Sequence, residues 1–296
     1  MKSIGERTYR SLRSGLPLTL QRRFGSAFEV SRAYTSSIRL MPTFIIMGGQ
    51  RCGTNSLYEY LVKHPRVGRA LPSQEVHFFD LNFEKGFQWY RGHFPIRGKA
   101  GLNLGSWPPL MSGECSPYYM FHPLAPKRIA QALPAIKLFV LLRNPVDRAY
   151  SHYQHERARG FETLSFEEAI EREPERLEGE VQRMEQDPTF QSFNHQRFSY
   201  VTRGMYADQL ENLLSLFPQE SIHVVISEQL FAEPAVERDK ALRFLGLPDH
   251  RLTSYPRYNP GRYSNIDPGI RERLRDRFAD SNERVYQLLR TDFRWE

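Results

Sequence analysis

Two short segments carry most of the side chains suited to holding an anion. The first, Gly48-Gly49-Gln50-Arg51-Cys52-Gly53-Thr54-Asn55-Ser56, combines glycines, hydroxyls, amides and one guanidinium. Between a strand and a helix, such a loop turns backbone N–H groups and a helix N-terminus toward a phosphate or sulfate. Its glycines have the GxxxxG spacing of a Walker loop, but Thr54 stands where the Walker lysine belongs and Asn55 where the Mg²⁺-binding hydroxyl belongs, while the cation has moved inside the loop to Arg51. That pattern argues against a metal-dependent nucleoside triphosphatase and for a phosphate or sulfate donor bound without a metal. The competing reading of this segment alone is a plain tight strand-to-helix turn. In the second segment, residues 143–151 (RNPVDRAYS), Arg143 leaves an apolar run and Ser151 follows two helical turns later. Together the segments can hold two separate phosphates, as a 3′,5′-bisphosphorylated nucleotide requires.

These groups need a sheet to position them. Residues 43–47 (TFIIM) form a continuous apolar run stopped by Gly48-Gly49, the pattern of a buried parallel strand. Residues 54–64 then put Leu57, Tyr60 and Leu61 at helical spacing before Pro65. The same order recurs at 136–142 (IKLFVLL), followed by a helix from Pro145 or Val146 through at least Glu156. A third strand is predicted at 222–226 (IHVVI), preceded by a helix over 206–216 whose apolar stripe runs Tyr206, Leu210, Leu213, Leu214 and Phe217. A short helix includes 239–245, and a long amphipathic one spans 268–289. Residues 160–200 are acidic and read as solvated helix and loop rather than as a site. Strands alternating with helices predict an α/β fold, a P-loop-like three-layer α/β/α arrangement with a central parallel sheet.

The 296 residues are 40% hydrophobic and include 20 Phe and 15 Tyr, which excludes disorder and permits one large domain. The net charge of +7 would, taken whole, suggest nucleic acid or an anionic membrane as partner. Residues 1–41, however, hold eight basic and two acidic residues, so all but one unit of the excess lies there. The expected organisation is a basic amino-terminal arm, 1–41, followed by a globular domain, 42–296. No run approaches the ~20 apolar residues of a membrane helix, and no apolar segment follows the first charges as a secretory signal requires. The arm is expected to be a plain extension or to contact a membrane surface. Cys52 and Cys115 build neither a disulfide framework nor a zinc set, which favours a reducing compartment. His152 and His155 share a helical face without an HExxH frame and read as solvated helix surface, not as a metal site.

The pairing of GGQRCGTNSL with LLRNPVDRAYSHY resembles the sulfotransferase family. QEVHFFD at 74–80, GFQWY at 86–90, GECSPYY at 113–119, RGMY at 203–206 and RFLGL at 243–247 look like its heparan-sulfate-type branch and the bacterial relatives of that branch. The resemblance spans about residues 43–295. It implies an enzyme dependent on 3′-phosphoadenosine 5′-phosphosulfate (PAPS) in which Arg51, Cys52, Gly53, Thr54, Asn55 and Ser56 wrap the 5′-phosphosulfate. Arg143 and Ser151 would bind the 3′-phosphate, Gly261 and Arg262 would close over the cofactor, and Glu75 would be the general base. The family's loop lysine is Arg51 here, which keeps the charge but does not surrender a proton, so its implied role is electrostatic stabilisation of the leaving phosphate. A second lysine of the animal heparan enzymes falls on Cys115, which argues against a heparan-like acceptor. The disulfide-closed loop of those luminal enzymes is also missing, in keeping with a reduced compartment. Tyr258 either stacks on the adenine or is a core or rim tyrosine.

Sulfuryl transfer to an alcohol needs a base for the hydroxyl proton, and cations with backbone donors for charge developing on the bridging oxygen. Under the resemblance Glu75 and the Arg51 loop supply these, with no metal. From the residues alone, Glu75 is a surface carboxylate near a strand end. His77 shares its face in an extended segment and either orients Glu75, binds acceptor or is structural. His77 and Tyr118 are the substrate-side candidates. Glu114 either anchors the loop after it or lines the acceptor cleft. Most of Phe78, Phe79, Phe87, Trp89, Tyr90, Tyr118 and Tyr119 are expected in the core, the remainder offering sugar-stacking surface. The expected activity is transfer from PAPS to a hydroxyl of a carbohydrate or glycolipid. The protein is expected to be cytoplasmic, membrane-peripheral through its arm, and without nucleic acid as partner. Loops at 72–122 and 157–202 are expected to shape the acceptor cleft. The competing readings are a P-loop nucleotide kinase, which explains the first loop only, and a non-enzymatic basic protein binding nucleic acid or anionic lipid.

Overall fold

The computed structural model describes residues 32–97, 111–258, 261 and 264–295. Burial on both faces governs its first strand. All five residues of β1 (Phe44–Gly48) are buried, and alternation sends Ile45 and Met47 into one apolar cluster and Phe44 and Ile46 into another. α1 (Thr54–Leu61) follows, then the short strands β2 (Val67–Arg69) and β3 (Met111–Cys115). β4 (Lys137–Leu142) leads into α2 (Pro145–Ala158), and α3 (Tyr206–Leu216) precedes β5 (Ile222–Ile226). α4 (Pro234–Leu245) and α5 (Pro268–Leu289) complete the chain. The five strands are parallel in the order β2-β3-β1-β4-β5. α1 and α4 pack on the face carrying Phe44, Phe139 and Leu141, while α3, the helix Ala125–Ala132 and the end of α5 pack on the face carrying Ile45, Leu138 and Val140. This is the expected three-layer α/β/α fold.

The order of the strands creates the site. From β1 the chain first builds β2 and β3 on one side, then crosses to β4 and β5 on the other, so the carboxyl ends of β1 and β4 bound the crevice where open α/β sheets bind ligands. Gly48 ends β1 opposite Leu141 with φ 137°, and a Cβ there would sit 2.2 Å from the Leu141 carbonyl oxygen. Only glycine lets the first loop leave the sheet at this point.

α4 contains the expected 239–245 segment and extends it back to Pro234, because proline suits a first helical turn. Two details depart from the sequence reading. His152 is fully buried, its ring 5.0 Å from that of Tyr200, because α2 is covered by the chain around residue 200 and has no solvated face there. Residues 160–200 fold into short helices, Phe166–Glu171, Glu173–Leu177, Glu180–Gln186 and Phe193–Arg197, and their last turn reaches the ligand cavity. Before β1, Arg32 Nε donates to the Gly92 carbonyl at 2.7 Å and Arg39 pairs with Ile96, so residues 32–39 lie against the segment 92–96. No helix among the described residues is long and apolar enough to cross a membrane.

Candidate active site

A cavity of about 580 Å³ opens at the carboxyl ends of β1 and β4, a size usual for small-molecule sites. Of the residues singled out in the sequence, Arg51, Gly53, Thr54, Asn55, Glu75, His77, Tyr118, Arg143, Ser151 and Gly261 line it, as does Tyr258. Cys52 and Ser56 lie behind its wall. The Cys52 thiol is 3.8 Å from Tyr206 Oη and burial pushes it up to about 11, while Ser56 Oγ accepts from the Tyr258 N–H. Arg262 falls outside the described residues.

The two anion loops form one unit. Arg51 adopts a left-handed backbone, φ 75°, and its Nε donates to Ser151 Oγ at 3.3 Å. Arg143 Nη1 reaches the Arg51 carbonyl at 3.4 Å, and Tyr206 Oη donates to the Arg143 carbonyl at 3.0 Å. Asn144 Oδ1 caps α2 by accepting from Val146 and Asp147. Arg51, Arg143, Arg159, Arg197, Arg203 and Arg257 all line the cavity, against Glu75 as the one carboxylate among its described lining residues. Such a surplus suits a ligand with several negative charges. Cations on neighbouring loops, the start of α1 and the rings of Phe231 and Tyr258 fit a bisphosphorylated nucleotide. Among the described residues, no group of three or more His, Cys, Asp or Glu is disposed to hold a metal ion.

The opposite wall is built around a strained turn. His77 has φ 52°, a conformation that costs energy in a non-glycine residue and persists where its surroundings fix it. Here the His77 N–H donates to Ser116 Oγ, and the Phe78 N–H to Tyr119 Oη. Both hydroxyls donate in turn to the fully buried Glu114 at the end of β3. Burial, the largest influence, raises Glu114 to about 7, so this residue anchors the turn rather than lining the cleft. The turn sets His77 Nδ1 2.8 Å from Asp80 Oδ2 and Nε2 3.7 Å from Glu75 Oε2. Burial alone would lower the imidazole, but Asp80, by charge and hydrogen bond, and then Glu75 outweigh it and raise His77 to about 10. At neutral pH His77 is therefore an imidazolium between two carboxylates.

Sequence reasoning missed Asp80, although its spacing of three from His77 signals a shared helical turn. It also missed Gln50, His155, Gln196, Arg197 and Arg203 as cavity residues. Burial first, then the charges of Arg51, Arg159 and Arg197, lower His155 to about 4. A prediction follows for Asp80→Asn. The His77 cation is present below its raised pKa and is lost as pH rises through about 10. Removing the Asp80 charge moves that loss down toward the ordinary imidazole range, about 6.5. The alkaline limb of kcat/KM should shift down accordingly, and an unshifted limb would show that the His77 charge plays no part in turnover.

Two cationic loops without a Walker lysine, facing a carboxylate across one cavity, set this site in the class that moves a group off a bisphosphorylated nucleotide. The chain belongs to the sulfotransferase-domain family, which matches residues 41–258, and is a PAPS-dependent sulfotransferase related to heparan-sulfate-type and bacterial enzymes. It is 29% identical to human heparan sulfate glucosamine 3-O-sulfotransferase 5 over 298 residues, covering 92% of this chain and 79% of that one. Human bifunctional heparan sulfate N-deacetylase/N-sulfotransferase 3 is 31% identical over 218 residues, which is 71% of this chain and 23% of the relative. The solved sulfotransferase from Alicyclobacillus acidocaldarius aligns with a TM-score of 0.63 at 30% identity, covering 86% of this chain and 99% of that one.

Proposed function

We propose that the chain transfers the sulfuryl group of PAPS to a hydroxyl of a carbohydrate or glycolipid acceptor. The observation that carries this reading is a carboxylate, Glu75, lining the same cavity as Arg51 and Arg143. Glu75 takes the hydroxyl proton as the acceptor oxygen attacks sulfur. The His77 imidazolium, tied to Asp80, orients Glu75 and faces the acceptor. Arg51 and the N–H groups opening α1 stabilise the negative charge that collects on the bridging oxygen as its bond to sulfur breaks and adenosine 3′,5′-bisphosphate (PAP) leaves. Thr54 and Asn55 complete the cradle of the 5′-phosphosulfate, with Cys52, Gly53 and Ser56 giving it backbone and support. Arg143 and Ser151 hold the 3′-phosphate, and Gly261 with Arg262 covers the nucleotide. Tyr118, buried but for the part that lines the cavity and with Arg203 against its ring, meets the acceptor at that part alone.

Transfer of radiolabelled sulfate from PAPS to a panel of glycans, glycolipids, simple alcohols and amino sugars, beside calorimetry with PAP, tests the reading. By their names, one of the two relatives places sulfate on oxygen and the other on nitrogen, so the panel contains both nucleophiles. Labelled carbohydrate ester is the expected product. Labelling of non-carbohydrate alcohols alone, or of amines alone, overturns the acceptor, and absence of PAP binding overturns the donor assignment.

We also propose that residues 1–41 are a basic arm appended to the domain 42–296, giving a cytoplasmic protein peripheral contact with anionic lipid. The segregation of charge supports this, as do two free, buried cysteines for the compartment. Deleting residues 1–31, which stops short of the buried Arg32, should abolish sedimentation with phosphatidylglycerol vesicles and leave turnover unchanged. Retained sedimentation would exclude the arm as the contact.

A further inference from the structure

Arg203 opens the RGMY motif on the turn Thr202–Gly204 and is the most deeply buried cation of the cavity wall, 2% exposed. Burial lowers it to about 10, which leaves it charged at neutral pH. It forms no ion pair with a carboxylate among the described residues, and its Nε is buried without a partner. Glu156 and Glu173 act on it through space without a direct ion pair. A buried charge without a directly paired counter-ion is costly, so simple stabilisation of a turn does not account for it. Its remaining donors all go to neutral oxygens, on two separate segments. Nη1 donates to Gln50 Oε1 in the first anion loop, and Nη2 donates to the carbonyls of His195 and Gln196 at 3.0 and 3.1 Å. The rings of Tyr118 and Phe121 lie 4.9 and 5.0 Å from the guanidinium and hold its plane.

The two segments belong to opposite halves of the cavity. Gln50 precedes Arg51 in the loop that faces the nucleotide. The segment around 191–197 forms the wall beyond Glu75: Gln191 Nε2 donates to the Leu81 carbonyl at 2.6 Å, and His195 Nδ1 shares a 2.6 Å hydrogen bond with Tyr118 Oη. Leu81, Tyr118 and Gln196 line the cavity there. A planar fork spans acceptors on both segments at once, which an ammonium on a flexible stem does not do.

We propose that Arg203 is a positioning residue that couples the two halves: an anion held by the first loop restrains Gln50, and Arg203 passes the restraint to residues 192–203, which form the acceptor wall. Because ordering is then shared, donor occupancy lowers the cost of ordering the acceptor side, and by linkage the converse holds. The inference rests on the donor role proposed above for the loop.

Hydrogen exchange of the full chain with and without PAP tests it, with PAP binding followed separately by calorimetry. In the unmodified protein PAP should slow exchange over both 49–56 and 192–203. In Gln50→Ala, a change in a cavity-lining loop residue that leaves Arg203 in place, PAP should still protect 49–56 but no longer 192–203. Arg203→Lys, which keeps the charge and loses the fork, should give the same selective loss. A merely structural arginine would instead raise exchange over 192–203 equally with and without PAP in Arg203→Lys and leave Gln50→Ala like the parent. If Arg203→Lys does not fold, Gln50→Ala carries the test alone. PAP-dependent protection of 192–203 retained in Gln50→Ala, or absent from an unmodified protein that binds PAP, overturns the coupling. Failure of the unmodified protein to bind PAP overturns the donor reading instead.

Discussion

Glu75→Gln is expected to lower kcat by about 10²–10⁴, the contribution of a positioned general base, while PAP affinity stays unchanged. The substitution is isosteric, and the side chain is 38% exposed with the His77 ring as its ion-pair partner, so the fold loses nothing that would obscure the result. The amide cannot accept the hydroxyl proton. The neighbouring imidazole does not replace it, because Asp80, the larger of the two influences that raise His77, is untouched by the substitution and an imidazolium has no lone pair to offer. Single-turnover transfer from PAPS, with PAP binding measured on the same preparation, checks it. A loss of turnover smaller than the lower end of that range, or a parallel loss of PAP affinity, would falsify the base assignment.

The scaffold was legible where burial is expressed as an apolar pattern. α3, β5 and α5 have the bounds that periodicity predicts, while β1 is displaced by one residue at each end and β4 starts one residue later, because these elements bury whole faces. β3 escaped for the opposite reason. Its sequence Met-Ser-Gly-Glu-Cys is buried almost throughout, yet its glutamate is satisfied by Ser116 and Tyr119 rather than by exposure, so no apolar run marks it. β2, three residues long, offers too little pattern to read. The same distinction governs the site. Arg51, Arg143 and Ser151 announce themselves within local loops, and the resemblance adds Glu75. Arg203 comes to the cavity through tertiary contacts with Gln50 and Tyr118, and Gln196 is held by Arg203, so no local spacing contains them. Asp80 is intermediate: its distance from His77 in the chain is informative only once the left-handed turn at His77 is known.

Arg51→Gln should lower kcat by about 10²–10³, the usual cost of losing one donor to a developing oxyanion. Arg143→Gln, by contrast, should weaken PAP binding about 10–100-fold, the equivalent of losing a charge-assisted hydrogen bond, and leave kcat at saturating PAPS nearly unchanged. The contrast follows from where each charge sits. Under the proposed roles, Arg51 lies within the loop that leads into α1, where negative charge would grow during transfer, while Arg143 emerges from β4 on the side assigned to the 3′-phosphate, whose charge would stay constant. Backbone strain does not confuse the comparison, since glutamine at φ 75° is as strained as arginine. Arg51→Lys should recover most of the rate by restoring charge, whereas Arg51→Gly, which relaxes the backbone and restores no charge, should not. The Nε bond from Arg51 to Ser151 provides the opposing possibility, that Arg51 serves binding on the 3′-phosphate side. If Arg51→Gln raises the PAP dissociation constant and spares kcat at saturation, that role holds, and the charge on the bridging oxygen is met by the N–H groups opening α1 instead.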